Sequence, residues 1–156
     1  MTISPPATYP SDRAVPHDHQ GIDPAHRLIR RVSPEMIAKG RNGPRLSSAV
    51  LEPSSQDVDP YGGLSVDLEA LMLTDGVDPA QPVGTAHSVG AIVLAVSAFR
   101  SRHFLVGYDP LPENPYHGAV WENAARSAKL TRGTKRALLK EAAWLVALPG
   151  VAISEG

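Results

Sequence analysis

The sequence predicts an α+β fold, a small mixed β-sheet with a C-terminal amphipathic helix packed on it, and three observations carry that prediction. Fifteen prolines among 156 residues are too many for an all-helical chain, because a proline inside a helix removes a backbone donor and clashes with the preceding turn. Gly90 to Val96 is a continuous apolar run of strand length. The last third has helical spacing instead, with Leu138, Leu139, Ala142, Leu145 and Val146 on one side of a helix capped by Thr134 and closed by Pro149-Gly150.

Taken in order, residues 1–25 read as a mobile tail. Pro5, Pro6, Pro10, Pro16 and Pro24 stand there among Ser, Thr, Asp and His, and only Ile3, Tyr9, Val15 and Ile22 are sizeable apolar groups. Such a stretch buries too little surface to offset its ordering entropy, unless it orders on a partner. A single folded domain is expected over residues 26–150. His26 to Val32 reads as a strand stopped by Ser33-Pro34. Ser33-Pro34-Glu35 supplies a helix start running through Met36 and Ile37 to Gly40.

A second strand fits Arg45 to Leu51, ended by Pro53. Residues 54–63 read as an exposed loop. Leu64 to Val66 is a short strand leading into a helical turn over Leu68, Leu71 and Met72, ended by Asp75-Gly76. The run at Gly90 then starts a strand–helix–strand unit: helix over Ser97 to His103, strand over Phe104 to Tyr108. A single helix from Val89 to Arg102 is the alternative that periodicity leaves open. Asp109 to Pro115 holds three prolines and makes a rigid extended loop, and His117 to Trp121 follows as a strand. The expected core is Leu28, Ile29, Leu64, Val66, Ile92, Leu94, Val96, Phe104, Val106, Val120, Leu138, Leu145 and Val146.

Composition excludes several classes. At 42% apolar and 20% charged, with 15 Lys+Arg against 16 Asp+Glu, the chain is neither wholly disordered nor a strongly basic nucleic-acid binder. No apolar run is long enough to span a bilayer. The N-terminus lacks the pattern of a secretory signal, so a cytoplasmic location is the expectation. Without cysteine there is no disulfide, thiolate metal site or cysteine nucleophile. No Walker loop, G-x-G-x-x-G, G-x-S-x-G or H-E-x-x-H occurs, and no cofactor or metal is expected. His17-Asp18-His19 has the look of a metal-binding fragment, but no further ligand is fixed near it.

Charge is segregated. Glu52 to Gln81 carries seven acids and no Lys or Arg, whereas Glu122 to Glu141 carries six basic residues against two acids. The two halves could simply complement each other across the fold. The sharper expectation concerns Thr131-Arg132-Gly133-Thr134-Lys135-Arg136. A helix start already presents unpaired N–H groups and partial positive charge, so Lys135 and Arg136 there invite an anion, with Arg132 and the Thr134 hydroxyl as further donors. A second anion-binding set is Arg30, Arg31 and Arg45 with Ser47 and Ser48, offered by neighbouring strands. His117, held where a proline loop enters a strand, is the candidate acid or base, with Asp109, Glu113 and Asn114 near enough to orient it.

Arg45-Leu-Ser-Ser-Ala-Val-Leu51, Gly63-Leu-Ser-Val66 and Asp109-Pro-Leu-Pro-Glu-Asn-Pro-Tyr-His-Gly-Ala-Val120 resemble a pattern in a group of small bacterial and phage proteins with no established activity. That pattern is R-x-S-S-x-x-F, L-S-V and D-P-x-P-x-N-P-x-H-x-x-V, with Leu51 standing where it has Phe. The match spans residues 27–121, and the resemblance implies a discrete domain. A looser similarity is to ADP-ribosyltransferase-like folds, which pair an Arg or His on a first strand with a Ser on a second. It implies that Arg30 and Ser47-Ser48 take those places; the family's later catalytic Glu has no clear counterpart here unless Glu113 or Glu122 serves.

Three functions follow as expectations. The leading one is a small soluble binding or accessory protein that contacts a phosphate-bearing ligand or nucleic acid through the basic start of the C-terminal helix. The second is an enzyme acting on a phosphate-containing substrate with His117 as acid or base. The third is a subunit of a larger complex, meeting a protein partner through the acidic 52–81 region. No membrane partner is expected.

Overall fold

The computed structural model describes residues 3–52, 63–81, 88–123, 126–127 and 130–153. Among these described residues nine strands form a seven-stranded sheet and a separate hairpin. The strands are β1 (Arg27–Val32), β2 (Ile37–Gly40), β3 (Gly43–Leu46), β4 (Leu64–Leu68), β5 (Gly90–Ala95), β6 (Leu105–Tyr108), β7 (His117–Asn123), β8 (Arg126–Ser127) and β9 (Ala143–Val146). Among the described residues three helices accompany them: α1 (Glu69–Thr74), α2 (Val96–Arg100) and α3 (Arg132–Glu141). The α+β class is as expected. Strand order in the sheet is β6-β7-β4-β1-β5-β9, with β8 on β7, and every ladder in it is antiparallel.

The strand reading of Gly90 to Val96 holds, and the single-helix alternative does not. The chain leaves β5, turns through α2 and returns as β6 in the same direction, with three strands between them in the order. A crossover therefore spans most of the sheet.

Side-chain alternation sorts the sheet into two unlike faces. One carries Leu28 and Val32 of β1, Leu64, Val66 and Leu68 of β4, Ile92 and Leu94 of β5, Val106 of β6 and Val120 of β7, all buried. This is the main core. Phe99 of α2, Leu138 and Leu139 of α3, and Val50 and Leu51 of a 3-10 turn over Ser48–Leu51 close it. The other face is apolar only at two ends, Ile29, Met72, Ala91 and Val93 on one side and Ala14, Ala119 and Trp121 on the other. Of the expected core residues, Phe104, Leu145 and Val146 are only partly buried.

Several boundaries differ from expectation, each for an identifiable reason. Pro34–Met36 is a single 3-10 turn, and Ile37 begins β2 rather than continuing a helix. Gly40 pairs with Gly43 across the Arg41-Asn42 loop, with Gly43 at φ +115°, the left-handed region glycine enters at no steric cost. The strand expected over Arg45 to Leu51 stops at Leu46, because Ser47 caps the 3-10 turn by accepting from the Ala49 N–H. The last helix is capped by Thr131 instead of Thr134 and ends at Glu141. Ala143–Val146 then becomes β9 on the outer edge of β5, where pairing outweighs the helical spacing of its apolar residues. The loop expected at 54–63 lies almost wholly outside the described residues.

Where composition pointed to a mobile tail, residues 3–25 are ordered against the domain: His17, Asp18 and His19 hydrogen-bond the outer edge of β6, and Ala14 and Ile22 are buried. Apolar burial is slight, as composition required. Order comes from charge-assisted hydrogen bonds: Arg13 to Asp109, Arg100 to Asp18, and Arg100 to the carbonyls of His19 and Ile22.

One buried cation ties the core together. Arg30 projects into the main core face at 9% exposure and donates to the carbonyls of Val50 (2.7 Å), Ser65 (2.8 Å) and Glu52 (3.1 Å). Arg30→Met is expected to leave those carbonyls short of donors and to lower unfolding stability by about 3 kcal/mol in a urea titration.

Candidate functional site

The polar centre of the second face is the most concentrated chemistry among the described residues. Asp67 on β4 and His117 on β7 are direct cross-strand partners, so their side chains leave the same face. Asp67, Asp109, Asn114 and His117 are all buried. The Asp67 carboxylate accepts from Arg31 Nε (3.0 Å) and from Asn114 Nδ2 (2.7 Å). The Asp109 carboxylate accepts from Arg13 Nε (3.0 Å) and the Ala14 N–H (2.8 Å).

His117 belongs to the Asp109 half. Its Nδ1 lies 2.7 Å from the Asp109 carbonyl and 3.6 Å from the Asp109 carboxylate. A carbonyl only accepts, so Nδ1 carries the hydrogen and Nε2 holds the basic lone pair. The proline loop is folded back on itself to make this possible: Asn114 bridges Leu111 through paired backbone bonds, and its side chain also accepts from the Tyr116 N–H. Of the three residues expected to orient the ring, only Asp109 touches it; the Asn114 side chain bonds Asp67 and the Tyr116 N–H, and Glu113 is exposed.

The second set of expected anion ligands does not converge. Arg30 and Arg31 are adjacent on β1 and leave opposite faces. Arg31 is fixed by Asp67 and by the carbonyls of Pro79 and Gln81. Arg45 lies in the hairpin and donates to the Leu46 carbonyl. Ser47 serves as a turn cap, and Ser48 starts that turn. For the ADP-ribosyltransferase likeness, Arg30 does approach the turn that holds the two serines, but through its backbone carbonyls.

At the start of α3 the expected cluster is divided. Thr131 Oγ1 accepts from the Thr134 N–H and donates to the Thr134 hydroxyl. Lys135 Nζ is 2.6 Å from Glu52 Oε1. Arg132 and Arg136 are exposed, and among the described residues neither pairs with a carboxylate. The acidic segment is likewise engaged within the fold. Besides Glu52, Asp67 holds Arg31, and Glu69 holds Arg27 in a two-point pair that raises the Arg27 pKa. Of these pairs only Lys135–Glu52 joins the acidic and basic segments, while Asp67 and Glu69 are matched by arginines of β1; Asp57 and Asp59 lie outside the described residues.

His17 and His19 are no metal ligands in this arrangement, since both ring nitrogens of each already have backbone partners. Among the described residues no group of three His, Asp or Glu side chains is placed to hold a metal, and no helix is long and apolar enough to cross a membrane. Comparison with protein-family models, with curated proteins and with solved structures finds no match to this chain.

Sequence reasoning passed over Asp67, Arg13 and Arg100. For Asp67 a signal existed: it is the one charged residue inside the apolar strand Leu64–Leu68. Arg13 and Arg100 pair across long sequence separations and left no local trace.

Two outcomes are expected. Asp67→Ala removes the carboxylate that matches the part-buried Arg31 guanidinium, leaving it only the carbonyls of Pro79 and Gln81, and should cost about 3 kcal/mol by urea unfolding. The Tyr116 hydroxyl donates to Asp75 (3.0 Å), which raises its pKa; burial, with the Asp75 charge behind it, raises that of Tyr108. Both phenols stay neutral beyond the ordinary value of about 10, so the stability they contribute is present below it and is lost as pH climbs through their raised values. In a tyrosinate absorbance titration, Asp75→Asn should move the latest step to lower pH.

Proposed function

We propose that this chain is a small binding or accessory protein that holds an anionic partner, the phosphate backbone of a nucleic acid, along the exposed side of α3. One observation carries the reading. Arg132, Arg136 and Lys140 recur every four residues, all exposed, and none pairs with a carboxylate among the described residues. Residues so spaced are neighbours on one helix face, about 6 Å apart along the axis. Like charges at that spacing destabilise an isolated helix by a few tenths of a kcal/mol per pair, and the first turn contains no acid to offset them. A row of phosphates relieves that repulsion. Lys135, matched by Glu52, contributes to the fold and not to this row.

A second reading, acid–base chemistry at His117 on a phosphate-containing substrate, has its own observation: the Nδ1 bond to the Asp109 carbonyl leaves Nε2 as the basic atom. It has less support. Arg30 leaves the opposite face, and Arg31, which shares the face, is already committed to Asp67 and two carbonyls.

The test is fluorescence anisotropy with labelled single- and double-stranded oligonucleotides across a salt series. Binding should weaken steeply with salt, because each neutralised phosphate releases counterions. Arg132→Glu with Arg136→Glu should weaken it at least about tenfold and flatten the salt slope by about 0.7–0.9 per lost contact. Lys135→Ala should leave affinity unchanged. Equal binding by the double variant, or no binding by the unaltered chain at low salt, overturns the proposal.

A further inference from the structure

We propose that residues 13–22 form a pH-gated cover over the outer edge of β6, closed while His17 and His19 are neutral and released when they are protonated.

The outer edge of an antiparallel sheet presents unpaired N–H and C=O groups. Here the N-terminal arm satisfies them largely with side chains. Asp18 Oδ1 accepts from the Val106 N–H (3.0 Å), His17 Nε2 accepts from the Tyr108 N–H (3.2 Å), and the His19 N–H donates to the Val106 carbonyl (2.9 Å). β6 is shaped for this. A Cβ on Gly107 would stand 2.7 Å from the His17 ring and 2.6 Å from Trp121, so the missing side chain is what lets the imidazole lie on the strand. The His17 ring is 5.4 Å from that of Trp121 and 5.8 Å from that of His19.

Each histidine uses one ring nitrogen as donor and the other as acceptor. His17 Nδ1 faces the Val15 carbonyl (2.7 Å) while Nε2 accepts from Tyr108. His19 Nε2 faces the Ser4 carbonyl (2.7 Å) while Nδ1 accepts from the Gly21 N–H (2.9 Å). Only neutral imidazole can do both; a proton on the accepting nitrogen sets N–H against N–H. Protonating either ring is therefore incompatible with the docked contacts, so lowering the pH favours the released arm.

The charged and titratable groups around the pair do not reverse that sign. On the arm they are Arg13, Asp18 and His26, on β6 and the loop after it Tyr108 and Asp109, on β7 His117, and on α2 Arg100. Asp18 is matched by Arg100 and Asp109 by Arg13. Release would bare the β6 edge, Trp121 and the Asp109 carboxylate that backs His117.

Amide hydrogen exchange on the full chain, read by NMR and corrected for intrinsic rates, tests this. Between about pH 7.5 and 5.5, a window above the ordinary carboxylate range, protection at Ala14, His19, Val106 and Tyr108 should fall at least about tenfold while β1 amides keep theirs. Unchanged protection, or a fall shared by β1, overturns the proposal. Gln offers one donor and one acceptor without titrating, so His17→Gln with His19→Gln should keep the arm protected at the lower pH; an equal loss in that variant also overturns it. If the variant's arm is undocked at the higher pH, ring nitrogen shifts of the unaltered chain decide. The arm must open as those two rings protonate, and an arm that stays closed over two charged imidazoles refutes the gate.

Discussion

The fold depends on the way β1 is held. It is the fourth strand of six in the sheet order, hydrogen-bonded to β4 and β5, and its consecutive residues Arg30 and Arg31 anchor opposite faces. Arg30 reaches through the main core to the carbonyls of Val50 and Glu52 at the C-terminal end of the Ser48–Leu51 turn and to that of Ser65 on β4. Arg31 fixes Asp67 and draws the segment after α1 onto the other face. Three residues earlier, Arg27 secures α1 through Glu69. A strand that looks basic in the sequence is thus the internal framework of the domain. Its guanidiniums suit the task because a planar fork can satisfy several fixed acceptors at once. Each of these links carries a directional requirement that apolar packing alone would not impose.

That use of arginine explains which parts of the molecule were legible. The class, the existence of β1, β4, β5, β6 and β7, and most of the core could be read from period and punctuation. The Gly90 run, bounded by a turn and a short helix, is an instance where length decided correctly between strand and helix. The failures are of two kinds. At Gly40-Arg41-Asn42-Gly43 the sequence carries an Asn-Gly pair, a hairpin signal that the capping pattern at Ser33-Pro34-Glu35, pointing to a helix through Gly40, obscures. At Ala143–Val146 the local sequence is ambiguous, and only the open edge of β5 selects a strand. No window of sequence contains that edge.

The N-terminal arm fails in a more instructive way. Its composition correctly says that apolar burial cannot order it. What orders it is a set of polar contacts whose partners lie 82 to 96 residues away: Arg13 with Asp109, Asp18 with Arg100 and Val106, His17 with Tyr108. Composition measures hydrophobic content and has no access to complementarity between distant charges.

The same distinction governs the sites. Charge segregation pointed to two outcomes, mutual neutralisation or an external partner, and the chain uses the first wherever a described carboxylate lies within reach: Glu52 takes Lys135, Asp67 takes Arg31, Glu69 takes Arg27. Exposed positions alone are left for the second. On α3 the helix itself makes the selection, because a repeat of four turns Arg132, Arg136 and Lys140 away from the core, while Lys135 lies on the side where Glu52 waits. A basic residue count over 122–141 could not separate the two groups. Their positions around the helix axis do, and they explain why Lys135 belongs to the fold while Arg132, Arg136 and Lys140 face outward.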